Sequence, residues 1–203
     1  MNFAFVFPGQ GSQSVGMMAA YGESVVIRQT FTEASDALGE DLWRMVADGP
    51  AELLSQTVNT QPLMLTAGIA VYREWIARGG AVPALVAGHS LGEYSALVAA
   101  GALDFQEAVK LVRLRAQAMQ EAVPQGEGAM AALLGLDEAA AIEACAEAAQ
   151  GEVVSAANLN SPGQIVIAGS RAAVERAMLA AKTRGAKRAV LLPVSAPFHC
   201  ALM

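Results

Sequence analysis

The chain has 203 residues, 54% of them hydrophobic and 16% charged, a balance that fills a sizeable core and excludes disordered and fibrous classes. With 13 basic against 19 acidic side chains the net charge is −6, so there is no global field for nucleic acid and no nucleic-acid partner is expected. His89 and Glu93 break the longest apolar stretch and no cationic leader precedes the apolar run at 3–7, which points away from membrane spans and secretion and towards a soluble cytoplasmic protein.

Residues 2–7 read as a short buried strand that ends in Phe7-Pro8-Gly9-Gln10-Gly11-Ser12-Gln13. A loop with glycines on both sides of Gln10 is either a plain turn or a nest of inward N–H groups for an anion. It lacks the spacing of a P-loop or a dinucleotide turn, so a nucleotide is not the expected guest. Residues 23–37 and 42–47 read as helices stopped at Gly39 and at Gly49-Pro50, and no chemistry is apparent in them. Thr60-Gln61-Pro62 then opens a long helix, with Thr60 as N-cap, Pro62 in the first turn, and Leu65, Ile69, Tyr72 and Ile76 along one face.

The apolar run 84–87 breaks into Gly88-His89-Ser90-Leu91-Gly92, a G-x-S-x-G turn between a strand and a helix over about 91–100. The turn is tight enough to demand glycine at both flanks, and it lifts the serine oxygen to the end of a strand, in front of the N–H groups of the next helix. Helix, strand, turn and helix in this order suit a parallel sheet covered on both faces.

A helix over 105–123 follows, with Ala108, Leu111, Val112, Met119 and Ala122 as its apolar stripe. Arg115 falls on that stripe, whereas Arg113 points the other way. A guanidinium facing a core needs an anion. The partner is either a carboxylate of the protein or one carried by a ligand.

After Pro124-Gln125-Gly126-Glu127-Gly128 the pattern changes. Strands at 129–134, 153–157, 165–168 and 189–192 alternate with helices at 137–149 and 172–182, and a turn is expected at 158–163. The order β-α-β-β-α-β is that of a ferredoxin-like subdomain, and it predicts a small inserted domain. Lys182, Arg184, Lys187 and Arg188 near its end are either a solvated helix terminus or a docking patch for an acidic partner.

A serine nucleophile needs a base, and the chain has two histidines. His89 adjoins Ser90, where neighbouring side chains of a sharp turn diverge, so His199 is the candidate. Cys200, beside it, cannot face it as a Cys–His pair. Cys145 and Cys200 provide neither a disulfide framework nor metal-ligand spacing, so no metal is expected. The oxyanion hole would draw on the backbone N–H of Leu91 and on a second N–H from the loop at Gln10. No third carboxylate stands in a recognisable context, so a dyad is the reading.

Taken in order, the Gly9-Gln10-Gly11 loop, Gly88-His89-Ser90-Leu91-Gly92-Glu93, Arg115, the stretch 160–169 and the stretch from Ser195 to His199 resemble the motifs of the malonyl-CoA:acyl-carrier-protein transacylase family. The resemblance spans essentially the whole chain. It implies an α/β-hydrolase-like parallel-sheet large domain, at 1–125 and 197–203, with a ferredoxin-like insert at 126–196. It also implies ping-pong transfer of malonyl from coenzyme A, through a malonyl-serine, to the phosphopantetheine thiol of acyl carrier protein in fatty-acid biosynthesis. The coenzyme A thioester is then substrate, with no bound cofactor, and the basic cluster becomes a candidate docking patch for the acidic carrier. Residue by residue, the resemblance implies Ser90 as nucleophile, His199 as base, Arg115 as clamp on the malonyl carboxylate, and Gln10 and Leu91 as oxyanion donors. Phe198 and His89 become candidate pocket residues.

Members of this family continue well beyond the histidine, with more of the large domain and a glutamine whose backbone carbonyl orients the histidine. That segment is expected to be absent here. Two other readings accompany the transacylase: a serine esterase or thioesterase with the same elbow, and an inactive fragment that only binds or folds.

Overall fold

The computed structural model describes residues 2–194 and 196–203; Ser195, one of the residues that carry the resemblance, lies outside them. The fold is mixed α/β, and the chain divides into two compact units, Met1–Gln117 and Ala118–Met203. This boundary precedes the expected one at 125/126, and residues 197–203 fall in the second unit.

The first unit is mostly helical around one pair of parallel strands. Strand β1 (Ala4–Phe7) leads into α1 (Val25–Leu38), α2 (Leu42–Asp48), the one-turn α3 (Ala51–Leu54) and α4 (Thr57–Ala77), before β2 (Leu85–Gly88) returns beside β1. Ser24 caps α1, accepting from Ile27 N at 3.3 Å, and Gly39 closes that helix in the left-handed conformation only glycine adopts readily. Asp41 caps α2 in the same way. Helix α4 begins a turn earlier than the Thr60-Gln61-Pro62 pattern suggests. Thr60 is not its cap: it is fully buried inside the helix, and its hydroxyl donates to Leu54 O at 2.7 Å. A side chain satisfied by nearby carbonyls can sit mid-helix, so the pattern read as a start is an internal turn.

Helix α5 (Leu91–Ala99) follows β2 directly, and α6 (Phe105–Glu121) completes the unit's core. Ile27, Phe31, Leu42, Leu63, Leu65, Ile69, Leu91, Phe105 and Val112 form that core. At about 25 cal/mol per Å² of apolar surface, each such side chain contributes about 1.5–3 kcal/mol.

The second unit is a four-stranded antiparallel sheet with two helices. Its elements are β3 (Gly128–Leu134), α7 (Glu138–Ala149), β4 (Val154–Ser161), β5 (Gln164–Ser170), α8 (Arg171–Thr183) and β6 (Arg188–Leu191), and the strand order is β4-β5-β3-β6. Period-two alternation sorts its faces. Ala131, Leu133, Ile165 and Ile167 pack with α7 and α8, whereas Met130, Val166 and Ala168 turn the other way, onto Ala196 and Phe198. Residues 158–161, expected in a turn, instead lengthen β4, and Ser161 pairs with Gln164 across Pro162-Gly163. Gly163 has φ +76, which suits the third position of a tight Pro-Gly turn. No helix among the described residues is long and apolar enough to cross a membrane.

Candidate active site

Strand register builds the elbow. Phe7 pairs with Gly88, so the chain leaving β1 at Pro8-Gly9-Gln10 runs beside the chain leaving β2 at His89-Ser90. The approach leaves no room for side chains on the backbone. A Cβ on Gly88 would overlap the backbone of Gly92, one on Gly92 would overlap the carbonyl of Phe7, and one on Gly9 would come within 3.0 Å of His89 O. Both glycine flanks of the pattern are therefore sterically required.

Between them Ser90 adopts φ 54 and ψ −111, a conformation that costs a non-glycine residue about 1–3 kcal/mol. It stands at the N-cap of α5 with Leu91 as the first helical residue, and Gly92 N and Glu93 N donate back to His89 O and Ser90 O. The strain places the serine where a helix N-terminus concentrates positive potential. Leu91 is buried, whereas His89 is exposed. Gln10 is tied across to the start of α4, its Nε2 donating to Thr57 Oγ1 at 3.1 Å.

Arg115 meets the elbow from α6. Its Nη2 donates to Ser90 Oγ at 3.0 Å and its Nη1 to Gln61 Oε1 at 2.7 Å, while its guanidinium carbon lies 5.5 Å from the centroid of the Tyr94 ring. These partners are all uncharged. The ion pairs among the described residues do not include Arg115, so of the two alternatives for its anion, no carboxylate of the described chain fills the role.

Arg113 departs from expectation. It does not turn to solvent: its side chain is only 16% exposed, and Nη1 and Nη2 each donate to the Glu40 carboxylate at 2.7 Å. The buried face of α6 is Phe105, Ala108, Val109, Val112 and Ala116, and Leu111, placed on the stripe by periodicity, is 42% exposed. The true stripe is rotated, so both arginines flank it and both are half-buried.

Gln61 was not singled out in the sequence. It precedes Leu65 by one turn and Ile69 by two, so it shares their buried face, and a polar side chain there is the signal that marked Arg115. Tyr94, one turn into α5, is the other site residue that the pattern missed.

His199 and Phe198 belong to the second unit. Phe198 is buried against Met130, Val166 and Ala168. His199 is exposed and has φ 62, the left-handed region that favours glycine. Cys200 Sγ donates to Pro197 O at 3.1 Å, and burial pushes that thiol's pKa up. Of the basic cluster, Lys182, Lys187 and Arg188 are exposed, but Arg184 is engaged within the unit, by Glu147 at 2.5 Å and Glu143 at 3.9 Å.

Residues 4–203 match the model of a family described as acyl transferase domain. The malonyl CoA-acyl carrier protein transacylase of Escherichia coli K12 is 62% identical over 202 residues, 99% of this chain and 65% of that protein. The crystal structure of an acyl carrier protein S-malonyltransferase from Vibrio cholerae aligns over the whole chain and 66% of its own, with TM-score 0.96 and 60% identity. A malonyl-transacylase solved in complex with a type II PKS acyl-carrier protein aligns with TM-score 0.98 and 57% identity, over 100% of this chain and 66% of that one. The chain thus spans about two thirds of the length of the relatives it matches. It belongs to the acyl transferase domain family.

Proposed function

We propose that this chain is the part of a malonyl-CoA:acyl-carrier-protein transacylase that carries its nucleophile and its acyl selectivity. The observation that carries the reading is Arg115: a cation hydrogen-bonded to the elbow serine and, among the described residues, set against neutral groups with no ion pair. A thioester whose acyl group ends in a carboxylate supplies the missing anion, and a planar guanidinium grips it through two parallel hydrogen bonds. Acetyl would leave the charge unmatched.

In this reading Ser90 Oγ attacks the thioester carbonyl of malonyl-CoA while its proton passes to His199. The backbone N–H groups of Leu91 and Gln10 receive the charge that develops on the carbonyl oxygen. Collapse breaks the carbon–sulfur bond, and coenzyme A leaves as the thiol with the proton from His199. The phosphopantetheine thiol of acyl carrier protein then gives its proton to the same histidine and attacks the malonyl-serine; the carbon–oxygen bond breaks, and the histidine returns that proton to Ser90 Oγ. Coenzyme A is a substrate here, and the chemistry needs no bound cofactor. His89 and Phe198 are assigned to the acyl pocket, and Lys182, Lys187 and Arg188 to docking the acidic carrier. The pathway is fatty-acid biosynthesis, in the cytoplasm.

The finer architecture belongs to the same reading: residues 126–196 form a ferredoxin-like insert in a large α/β-hydrolase-like domain at 1–125 and 197–203. The order β4-β5-β3-β6 supports the insert. Val6 and Leu85, 73% and 71% exposed on β1 and β2, support a wider parallel sheet than these two strands.

Intact-mass measurement after incubation with malonyl-CoA tests the reading. A malonyl adduct on the wild-type chain, absent from Ser90→Ala and discharged by holo acyl carrier protein, is expected. No adduct on the wild type would overturn it, and discharge as free malonate without carrier would favour a hydrolase.

A further inference from the structure

We propose that Gln61 is a positioning residue for Arg115, a wholly buried neutral acceptor that fixes the guanidinium without cancelling its charge, so that the carboxylate of the acyl group is the anion it meets. The inference rests on the transacylase reading and adds the residue that keeps the clamp charged.

The first half of α4 buries several polar side chains, and most of them are satisfied locally. Thr60 donates to Leu54 O and Thr66 to Pro62 O, each at 2.7 Å. Gln61 is different. It is fully buried, and its Oε1 accepts from Arg115 Nη1 at 2.7 Å across 54 residues of sequence. Its place on the face of Leu65 and Ile69 would take an apolar side chain at no desolvation cost, so a buried amide there needs a partner that repays its burial.

The neighbouring arginine provides the contrast. Arg113, on the same helix, meets Glu40 through two hydrogen bonds of 2.7 Å, the geometry of a matched ion pair. Arg115 has instead an amide oxygen, a hydroxyl and an aromatic ring. Glutamine and glutamate are nearly identical in shape, so the difference at position 61 is one of charge. Gln61→Glu would give Arg115 an internal carboxylate and remove the incentive to bind another.

The test is calorimetric binding of two non-transferable probes to the intact chain, malonyl-carba(dethia)-CoA and acetyl-carba(dethia)-CoA, in which methylene replaces the thioester sulfur. The wild type is expected to prefer the malonyl probe by about tenfold or more. Gln61→Glu should bring that ratio close to one by weakening the malonyl probe alone. Gln61→Met, which removes the acceptor without adding charge, should reduce the ratio by a smaller factor. A merely structural role would weaken both probes together. If the wild type prefers malonyl and Gln61→Glu keeps the preference, the positioning role is overturned while the transacylase reading stands. Should Gln61→Glu fail to fold by circular dichroism, an unchanged ratio in Gln61→Met overturns it equally. A wild type with no preference, or with no binding, removes the clamp and this inference with it.

Discussion

Arg115 Nη2 lies 3.0 Å from Ser90 Oγ, so the elbow hydroxyl accepts a charge-assisted hydrogen bond from a cation that has no carboxylate partner among the described residues. In the proposed transacylase, the contact couples selectivity to nucleophilicity. A carboxylate that draws the guanidinium towards itself weakens its hold on the serine oxygen, whereas an acyl group without one leaves the oxygen engaged. Arg115→Ala should therefore lower the rate of malonyl-serine formation by about two orders of magnitude, with acetyl loading changed far less. Mass-spectrometric trapping with each thioester in turn measures both. Normal malonyl transfer by this variant would remove the clamp from the mechanism.

The elbow makes a second prediction, about stability. A methyl on Gly88 or Gly92 would meet backbone, at Gly92 and Phe7 respectively, and neither can retreat without shifting β1 or α5. Gly88→Ala and Gly92→Ala should each destabilise the chain by about 2 kcal/mol or more, read as a lower urea midpoint. Gly126, with φ +93 but open space around it, should cost less when changed to alanine.

Much of this site was legible because one rule, polar groups on buried helix faces need partners, acts over short sequence distances. It singled out Arg115 and applies equally to Gln61. It fails at Arg113 because the buried stripe of α6 is rotated from the one periodicity assigns, which leaves Arg113 at its flank, held by Glu40. The start of α4 departs from its sequence pattern for a related reason: Thr60 looks like a cap in sequence, and the carbonyls of Leu54 and Gln56 let it be buried instead. The end of β4 was missed because Asn158 to Ser161 lie at the edge of the sheet, where the last three are exposed and carry no apolar alternation. The register that sets Phe7 opposite Gly88 comes from pairing between distant segments, which no local pattern encodes.

Glu74 gives a pH-dependent prediction. Its carboxylate is buried on α4, accepts from Ser24 Oγ and Arg78 Nε at 2.6 Å each, and so joins the cap of α1 to the end of α4. The Ser24 hydrogen bond foremost, then that from Arg78, hold its pKa below the ordinary 4.5. A lowered folded pKa means stability present above pH 4.5 and lost as pH falls through the folded value. Glu74→Gln should thus be less stable than wild type near neutrality and approach it in acid. Urea denaturation from pH 7 to 3 checks this, and parallel curves for the two proteins would rule it out.

Both thiols should be slow to react. Burial raises the pKa of Cys145 to about 11 and pushes that of Cys200 up as well, so little thiolate exists at pH 7 to attack a reagent. Titration with Ellman's reagent should find both cysteines sluggish in the folded chain and reactive in denaturant. Fast labelling in the folded chain of Cys200, which is half-buried, would contradict the raised pKa.

The basic cluster divides into two parts with separable consequences. Arg184 is held by Glu147 and Glu143, so Arg184→Glu places like charges together and should lower stability with little specific effect on the carrier. Lys182, Lys187 and Arg188 are exposed, and in the proposed transacylase they should carry the docking of the carrier. The Michaelis constant for acyl carrier protein should rise with salt, because exposed charges are screened over about 10 Å at 0.1 M ionic strength. Lys187→Glu and Arg188→Glu should raise it severalfold at low salt and flatten that dependence, while the constant for malonyl-CoA stays unchanged. A salt-independent constant for the carrier in the wild type would remove the electrostatic patch, and equal effects of Arg184→Glu would show that the internal ion pair does not separate the two roles.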